Sequence, residues 1–558
     1  MKAIPEILPD ILQAAAGQYP GHGVGFVRPD RSVRFLTYPE LLATAHRYLS
    51  GMQQLGLKRG EIVIFSLDRA EEIVPALWGC FLGGIVPALL QPPVSFSGYN
   101  PAAEKAEKVF RILGRPRVIL SHAHLDSWGS GNIPGEKLVD FSTIPLPDAP
   151  ADIPRLNSGD LALIQFSSGS TGDPKGIMLT HENILVNVGD IMKGIDLRPP
   201  DITINWMPLY HDMGLFGFHL TAVFVQYTHY LLDPADFVKN PFLWLDAIHD
   251  LKGTVTACPN FGQIVLNRFM GRKPSRAWDL SRIRVLFNGA EPISIPVMNE
   301  FLDALAPFGL RWEAMFPAYG MAEATLAVTF PPMMQGAEVR AYRRSDLLRE
   351  GKAVPAGPGE TDCMEMVSVG KPLEHCEVRI ADSQGSPVGE RTVGQIFIKG
   401  KNVTTGYFNN PEETARILSE GWLHTGDLGF RDRGDLFITG RLKDIIFING
   451  TNYYAHDLES ITRRLKEIPA GKIVMSGYFD EQEGRDKVVV FLVGADSEAL
   501  RDTFRKIRDL FLQTIGLLID TFVPIRSGDI PRTSSGKIQR YKLVDRFLRK
   551  EFPVVVKI

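Results

Sequence analysis

Two features of the chain point to a large multi-subdomain α/β body with parallel-sheet layers, followed by a small C-terminal α+β domain. Over roughly the first 440 residues, short β-branched apolar runs alternate with helical patterns, as parallel strands joined by right-handed crossovers require. Beyond them the texture changes to closely spaced strands and turns, and about 115 further residues carry a helix and strand pattern of their own, enough for a separate small domain. At 558 residues the chain is also too long for one compact core.

From Thr37 to Gly56, apolar residues recur at helical spacing behind a threonine cap and an early proline, with glycine at the end, which predicts a surface helix. Glu61 to Leu67 (EIVIFSL) suits a buried parallel strand. Ile73 to Leu90 is the most hydrophobic stretch, but Pro75, Gly79, Gly83, Gly84 and Pro87 interrupt it. It therefore reads as a buried helix followed by a strand or turn, not as a membrane span. Runs at Arg117 to Leu120, Leu161 to Phe166, Thr254 to Ala257 and Val285 to Asn288 read as further parallel strands. Strand and turn patterns then take over at Val393 to Lys401, DLFITG and RLKDIIFING. Gly351 to Asp362, rich in Gly and Pro, predicts irregular backbone. After GRLKD (Gly440 to Asp444) come a helix at Ala455 to Ile468, a strand at Val488 to Val493 and an amphipathic helix at Ser497 to Leu512.

Composition removes several classes of function. Lys plus Arg total 61 against 64 for Asp plus Glu, a net charge of -3, so no global field draws the chain to nucleic acid or anionic lipid. Cys80, Cys258, Cys363 and Cys376 are scattered, without CxxC or zinc-finger spacing, and read as reduced thiols. MKAIPEILPD carries acids early and lacks a signal-peptide apolar run. Cytoplasmic residence with no stable membrane anchor is the expectation.

The residues that carry chemistry begin with FSSGSTGDPKG, directly after the strand LALIQF. Ser167, Ser168, Gly169, Ser170, Thr171 and Gly172 form a loop whose amides and hydroxyls can approach phosphate oxygens, and Lys175 adds positive charge. The spacing is not GxxxxGK[ST], so this is not an ordinary P-loop. Here the chain resembles the adenylate-forming superfamily of acyl-CoA synthetases, luciferases and nonribosomal peptide adenylation domains. NGAEP, which supplies Asn288, Gly289, Ala290 and Glu291, is similar to that family's adenine-binding segment. YGMAEAT (Tyr319, Gly320, Met321, Ala322, Glu323 and on) is similar to the segment where an aromatic ring stacks on adenine and a glutamate helps to hold Mg²⁺. The resemblance puts those roles on Tyr319 and Glu323. GWLHTGDLG resembles the ribose motif, with Asp427 as acceptor of both ribose hydroxyls. GRLKD supplies Arg441 and, as the implied hinge, Lys443. PRTSSGKIQR puts the family's catalytic lysine at Lys537. The implied division is a large adenylation domain at 1–440, a hinge at 441–443 and a mobile small domain at 444–558.

The resemblance implies ATP-dependent activation of a carboxylic acid as acyl-AMP, with pyrophosphate released. Two anions must approach, so charge neutralisation by Mg²⁺, Lys175 and Lys537 is what the chemistry needs. WMPLYHDMGLFG, with His211 beside Asp212, and the stretch Arg343 to Leu373 look like the fatty acyl-AMP ligase branch, in which such an insertion docks on the large domain and hinders use of CoA. YYAHDLE at Tyr453 to Glu459 also follows that branch. Together they imply a fatty acid substrate and a holo acyl carrier protein as acceptor. A fatty acyl-CoA synthetase is the alternative within the class, and a catalytically silent nucleotide-binding partner of a carrier protein is the alternative outside it. An apolar acyl pocket is expected between Trp206 and Phe269, with Phe216, Phe218, Phe224 and Phe261 as candidates.

Overall fold

The computed structural model describes residues 5–93, 101–129, 131–166, 173–272, 276–448, 451–481, 483, 485–532 and 538–558. Helix Tyr38–Gln54 begins at the predicted threonine: Thr37 accepts from the Glu40 amide, and the Glu40 carboxylate accepts from the Thr37 amide at 2.8 Å. That reciprocal cap satisfies two end donors. Its stripe of Leu41, Ala45, Leu49 and Met52 is fully buried and packs on helix Ala70–Gly83. The interrupted hydrophobic stretch divides where its glycines permit. Helix Ala70–Gly83 stops at Gly84, left-handed at φ 61°, and strand Val86–Leu89 follows.

Two parallel layers carry the body. One sheet runs Met315–Pro317, Val285–Asn288, Val255–Ala257, Thr203–Asn205, His229–Leu232 and Gly23–Val27, all parallel, with Val33–Thr37 closing it as an antiparallel edge. The other holds Val86–Leu89, Ile62–Ser66, Arg117–Leu120 and Leu138–Asp140, also parallel. Leu161–Phe166 has the predicted extent but not the predicted partner: it pairs antiparallel with Gly176–Thr180. Only residues 167–175 separate the two strands, too few for the crossover that a parallel pair needs. The two strands that flank the signature segment thus form a hairpin.

An antiparallel sheet follows, built on Cys376–Ala381, Gly394–Gly400, Trp422–Asp432 and Asp435–Arg441. The C-terminal part has its own four-stranded sheet, Ile473–Asp480, Arg485–Val493, Thr521–Ile525 and Val556–Lys557. Helix Glu498–Ile515 is capped by Ser497 and stopped by Gly516 at φ 67°. The expected helix to Ile468 ends earlier, as Ala455–Ile461. Thr462 donates its hydroxyl to the Glu459 carbonyl at 2.7 Å, a local bond that tightens the last turn into Thr462–Arg464.

The inserted stretch, Arg343 to Leu373, holds helix Arg344–Arg349 and strand Cys363–Val367, which pairs antiparallel with Val339–Arg343, the strand that leads into it. The resemblance implies docking on the large domain; the stretch packs on both parts. Tyr342, Met364 and Met366 share a buried cluster with Phe430 and Phe437 of the body and with Tyr453 and Leu458 beyond Arg441. Arg344 pairs with Asp457, both nearly buried. Among the described residues, no helix is long and apolar enough to cross a membrane.

Candidate active site

A cavity of about 450 Å³ opens where the signature hairpin, the Tyr319 to Ala327 segment and the Arg441 to Lys443 segment meet. A second, of about 670 Å³, shares Ala290, Tyr319, Gly320 and Arg441 with it and extends past Glu291 and Asp427. The first has two chemically distinct walls. Lys175, His211, Glu323, Tyr407, Arg441 and Lys443 are polar, whereas Phe218, Phe287, Leu326 and Phe330 are apolar. Phe287 holds the apolar wall together, 6.1 Å from the Phe218 ring centroid and 5.5 Å from that of Phe330.

Local backbone sets the polar wall. Tyr319–Gly320 pairs antiparallel with Ala327–Phe330, so closely that a Cβ on Gly320 would sit 1.9 Å from the Leu326 carbonyl oxygen. Only glycine fits there. Between the strands Thr325 adopts φ 64°, ψ −64°, and the Leu326 amide donates to the Ala324 carbonyl at 2.8 Å. This is the strained form of γ-turn. It is held by the buried Thr325 hydroxyl donating to the Asn402 carbonyl at 2.8 Å, and it lies two residues from Glu323.

The side chains form two bonded groups. Asp427 and Arg441 face each other across a hairpin, with Arg441 Nε 3.0 Å from Asp427 Oδ1. The Tyr319 hydroxyl donates to Asp427 Oδ2 at 2.7 Å. Burial, and then the Asp427 charge, push the Tyr319 phenol far up, so it stays a donor. In the second group, the Tyr407 hydroxyl donates to Glu323 Oε1 at 2.9 Å, and Lys175 Nζ lies 5.2 Å from the Tyr407 ring centroid. Lys175 also pairs with Glu413, whose carboxyl is held low, chiefly by that bond.

His211 Nδ1 lies 2.5 Å from Asp212 Oδ1, and the Met213 amide donates to the same oxygen at 2.7 Å. The π-helix Met213–Leu220 then begins. Gly214 permits the start, since a Cβ there would be 2.3 Å from the Pro208 carbonyl oxygen.

Residues 12–408 match the AMP-binding enzyme family, and 443–557 match the AMP domain of Disco-interacting protein 2-like proteins. The chain belongs to the AMP-binding enzyme family. A Caulobacter vibrioides protein provisionally named an acyl-CoA synthetase is 32% identical, covering 92% of this chain and 91% of that one. The medium-chain-fatty-acid–[acyl-carrier-protein] ligase JamA of Moorena producens is 30% identical, covering 93% of this chain and 91% of its own. A structure from work on the fatty acyl-adenylate ligases of E. coli and L. pneumophila superposes with a TM-score of 0.90 at 30% identity, covering 99% of each chain. An adenylate-forming enzyme with an α/β body and a small C-terminal domain is what these likenesses support.

The structure of this AMP-binding enzyme brings together most of the residues the sequence singled out. Lys175, His211, Ala290, Tyr319, Gly320, Met321, Ala322, Glu323, Arg441 and Lys443 line the first cavity, and Glu291 and Asp427 line the second. Asn288 and Gly289 line neither: Asn288 is fully buried at a strand end, and Gly289 lies against the Ala318 carbonyl. Both amide atoms of the Asn288 side chain lack hydrogen-bond partners among the described residues. Ser167, Ser168, Gly169, Ser170, Thr171, Gly172 and Lys537 lie outside the described residues.

The acyl-pocket expectation needs correction. Phe218 lines the first cavity and Phe261 the second, but Phe216 and Phe224 line neither. Residues two apart on a helix face opposite sides, so Phe216 enters the core around Trp78 and Leu220 while Phe218 enters the core around Phe287. Phe224 packs against the same core as Phe216. Sequence reasoning missed Phe287, Phe330, Tyr407 and Glu413. The available signal for Glu413 was the helix start at Asn410, whose side chain accepts from the Glu413 amide; this fixes where Glu413 sits, not what it meets.

Proposed function

We propose that the enzyme joins a fatty acid to AMP at the expense of ATP, releases pyrophosphate, and passes the acyl group to the phosphopantetheine thiol of a holo acyl carrier protein. The observation that carries this reading is the two-walled cavity, cationic where phosphates must be held and aromatic where an alkyl chain must be buried. Tyr319 would stack on adenine and Asp427 would receive the ribose hydroxyls, with Arg441 completing the charge-assisted pair. Lys175 and the Ser167 to Gly172 loop would hold the outer phosphates. Lys537 would bridge the carboxylate and the α-phosphate, a task suited to a compact ammonium on a flexible stem. His211, oriented by Asp212, would stand beside the acyl adenylate.

Glu323 fits an Mg²⁺ ligand: it is a cavity-wall carboxylate with Oε1 held by Tyr407 and Oε2 without a hydrogen bond among the described residues, the oxygen donor that magnesium prefers. The ion would neutralise phosphate charge. Lys443 would be the pivot at 441–443 about which residues 444–558 rotate between adenylation and transfer.

A likeness to a carrier-protein ligase and the insert wedged beside the C-terminal part support the carrier as acceptor. The likeness to a protein provisionally named an acyl-CoA synthetase favours CoA as the second reading. The test supplies purified enzyme with ATP, magnesium and labelled fatty acids of several lengths, then offers CoA and holo carrier protein in parallel. Acyl transfer to the carrier with little acyl-CoA is expected; rapid turnover to acyl-CoA would replace this reading with the second. No acyl adenylate from any acid would remove both.

A further inference from the structure

We infer that Tyr407 is a positioning residue for adenylation: its hydroxyl orients the Glu323 carboxylate and its ring seats the Lys175 ammonium, so one side chain spaces the anion and the cation of the site. The inference rests on the proposed roles of Glu323 and Lys175. Tyr407 is 6% exposed and lines the first cavity. Its two contacts are of different kinds and face different partners: a hydrogen bond of 2.9 Å to Glu323 Oε1, and a ring face 5.2 Å from Lys175 Nζ.

The backbone around Tyr407 makes the same two connections. The Phe408 amide donates to the Gly176 carbonyl at 2.7 Å and the Met178 amide to the Gly406 carbonyl at 3.0 Å, which ties the segment to the strand next to Lys175. The Thr404 amide donates to the Glu323 carbonyl at 2.8 Å, which ties it to the strained turn. Tyr407 itself is pinned by its amide donating to the Thr414 hydroxyl at 2.9 Å. The ring is thus fixed to both neighbours through short backbone links, and a group so held can set a distance between them.

Glu323 therefore has one oxygen held and the other with no hydrogen bond among the described residues, while Lys175 is balanced by the ring and by Glu413. Tyr407→Phe keeps the ring and removes only the hydroxyl. Tyr407→Leu removes both. The experiment measures ATP binding by calorimetry with and without Mg²⁺, together with the Mg²⁺ dependence of ATP–pyrophosphate exchange. Tyr407→Phe should cut the magnesium-dependent gain in ATP affinity by about tenfold, as expected for losing a hydrogen bond to a charged group, and leave magnesium-free affinity unchanged. Tyr407→Leu should weaken both. Glu323→Gln should lose the same gain, and adding Tyr407→Phe to it should cost nothing further. Should Glu323→Gln lose the gain while Tyr407→Phe keeps it, or should the two losses add, the inference is overturned and the metal reading stands. Should Glu323→Gln keep the gain, the metal reading itself fails and takes the inference with it.

Discussion

The two walls of the first cavity are built by opposite means. On the polar wall, side chains are locked by bonds of specified geometry: Tyr407 to Glu323, and Tyr319 and Arg441 to Asp427 of the adjoining cavity. On the apolar wall, Phe218, Phe287 and Phe330 belong to a continuous core and face the cavity only because of where that core stops. Hydrogen bonds and charge pairs demand particular atoms, so the polar wall tolerates few side chains. Dispersion and burial are non-directional, so the apolar wall can be redrawn by volume alone.

The contrast can be broken in several places. The largest effect should come from Lys537→Ala, which removes a positive charge from the transition state and should lower adenylate formation by about 10²- to 10³-fold with ATP binding largely intact. Near-normal fatty-acid-dependent pyrophosphate release from that variant would contradict its role. On the apolar wall, Phe216→Ala and Phe218→Ala remove the same atoms from opposite sides of one helix. Phe216→Ala should cost ~3–5 kcal/mol of stability and leave acyl-chain preference alone, whereas Phe218→Ala should shift preference toward longer chains. Equal shifts in preference from both would erase the distinction drawn here, as a competition assay with mixed chain lengths would reveal.

The insert offers a smaller and more conditional effect. Deleting residues 352–361 should raise CoA-dependent relative to carrier-dependent turnover by about tenfold, the scale of one lost contact of moderate strength. An unchanged ratio would show that the insert does not govern the choice of acceptor.

A further effect concerns pH. His219 lies on the same helix as Phe218, accepts from Trp78 Nε1 at 2.9 Å and has His229 Nε2 2.9 Å from its other nitrogen. Burial holds His219 at about 3, against an ordinary value of 6.5, and His229 also far down. As pH falls below 6.5 the unfolded chain takes up protons that the folded chain refuses until about 3, so this stability is complete above that window and is lost through it. His219→Gln keeps an acceptor for Trp78 and should flatten the decline by about 1.4 kcal/mol per pH unit. Melting temperatures of wild type and variant at about pH 7.5 and pH 5 would measure it; identical differences would show that His219 is not the titrating group.

Some features were legible residue by residue. The Thr37 cap and the strands Arg117–Leu120 and Val285–Asn288 depend on neighbours within a few positions, where propensity and side-chain chemistry act. The features that were not legible depend on partners far along the chain. Leu161–Phe166 was readable as a strand but not as half of a hairpin, and Phe216 and Phe218 were indistinguishable until the helix between two cores gave each a side.

Many strands and helices and, Tyr407 apart, the residues of the polar wall could be read from the chain alone, because they rest on local backbone preference and on motifs only a few residues long. Which phenylalanines face the cavity, that the insert bridges the body and the C-terminal part, and that Tyr407 stands between Lys175 and Glu323 emerge only once the chain is packed. Those facts depend on distance between residues dozens to hundreds of positions apart, and apolar burial carries no mark in the sequence that says which partner will provide it.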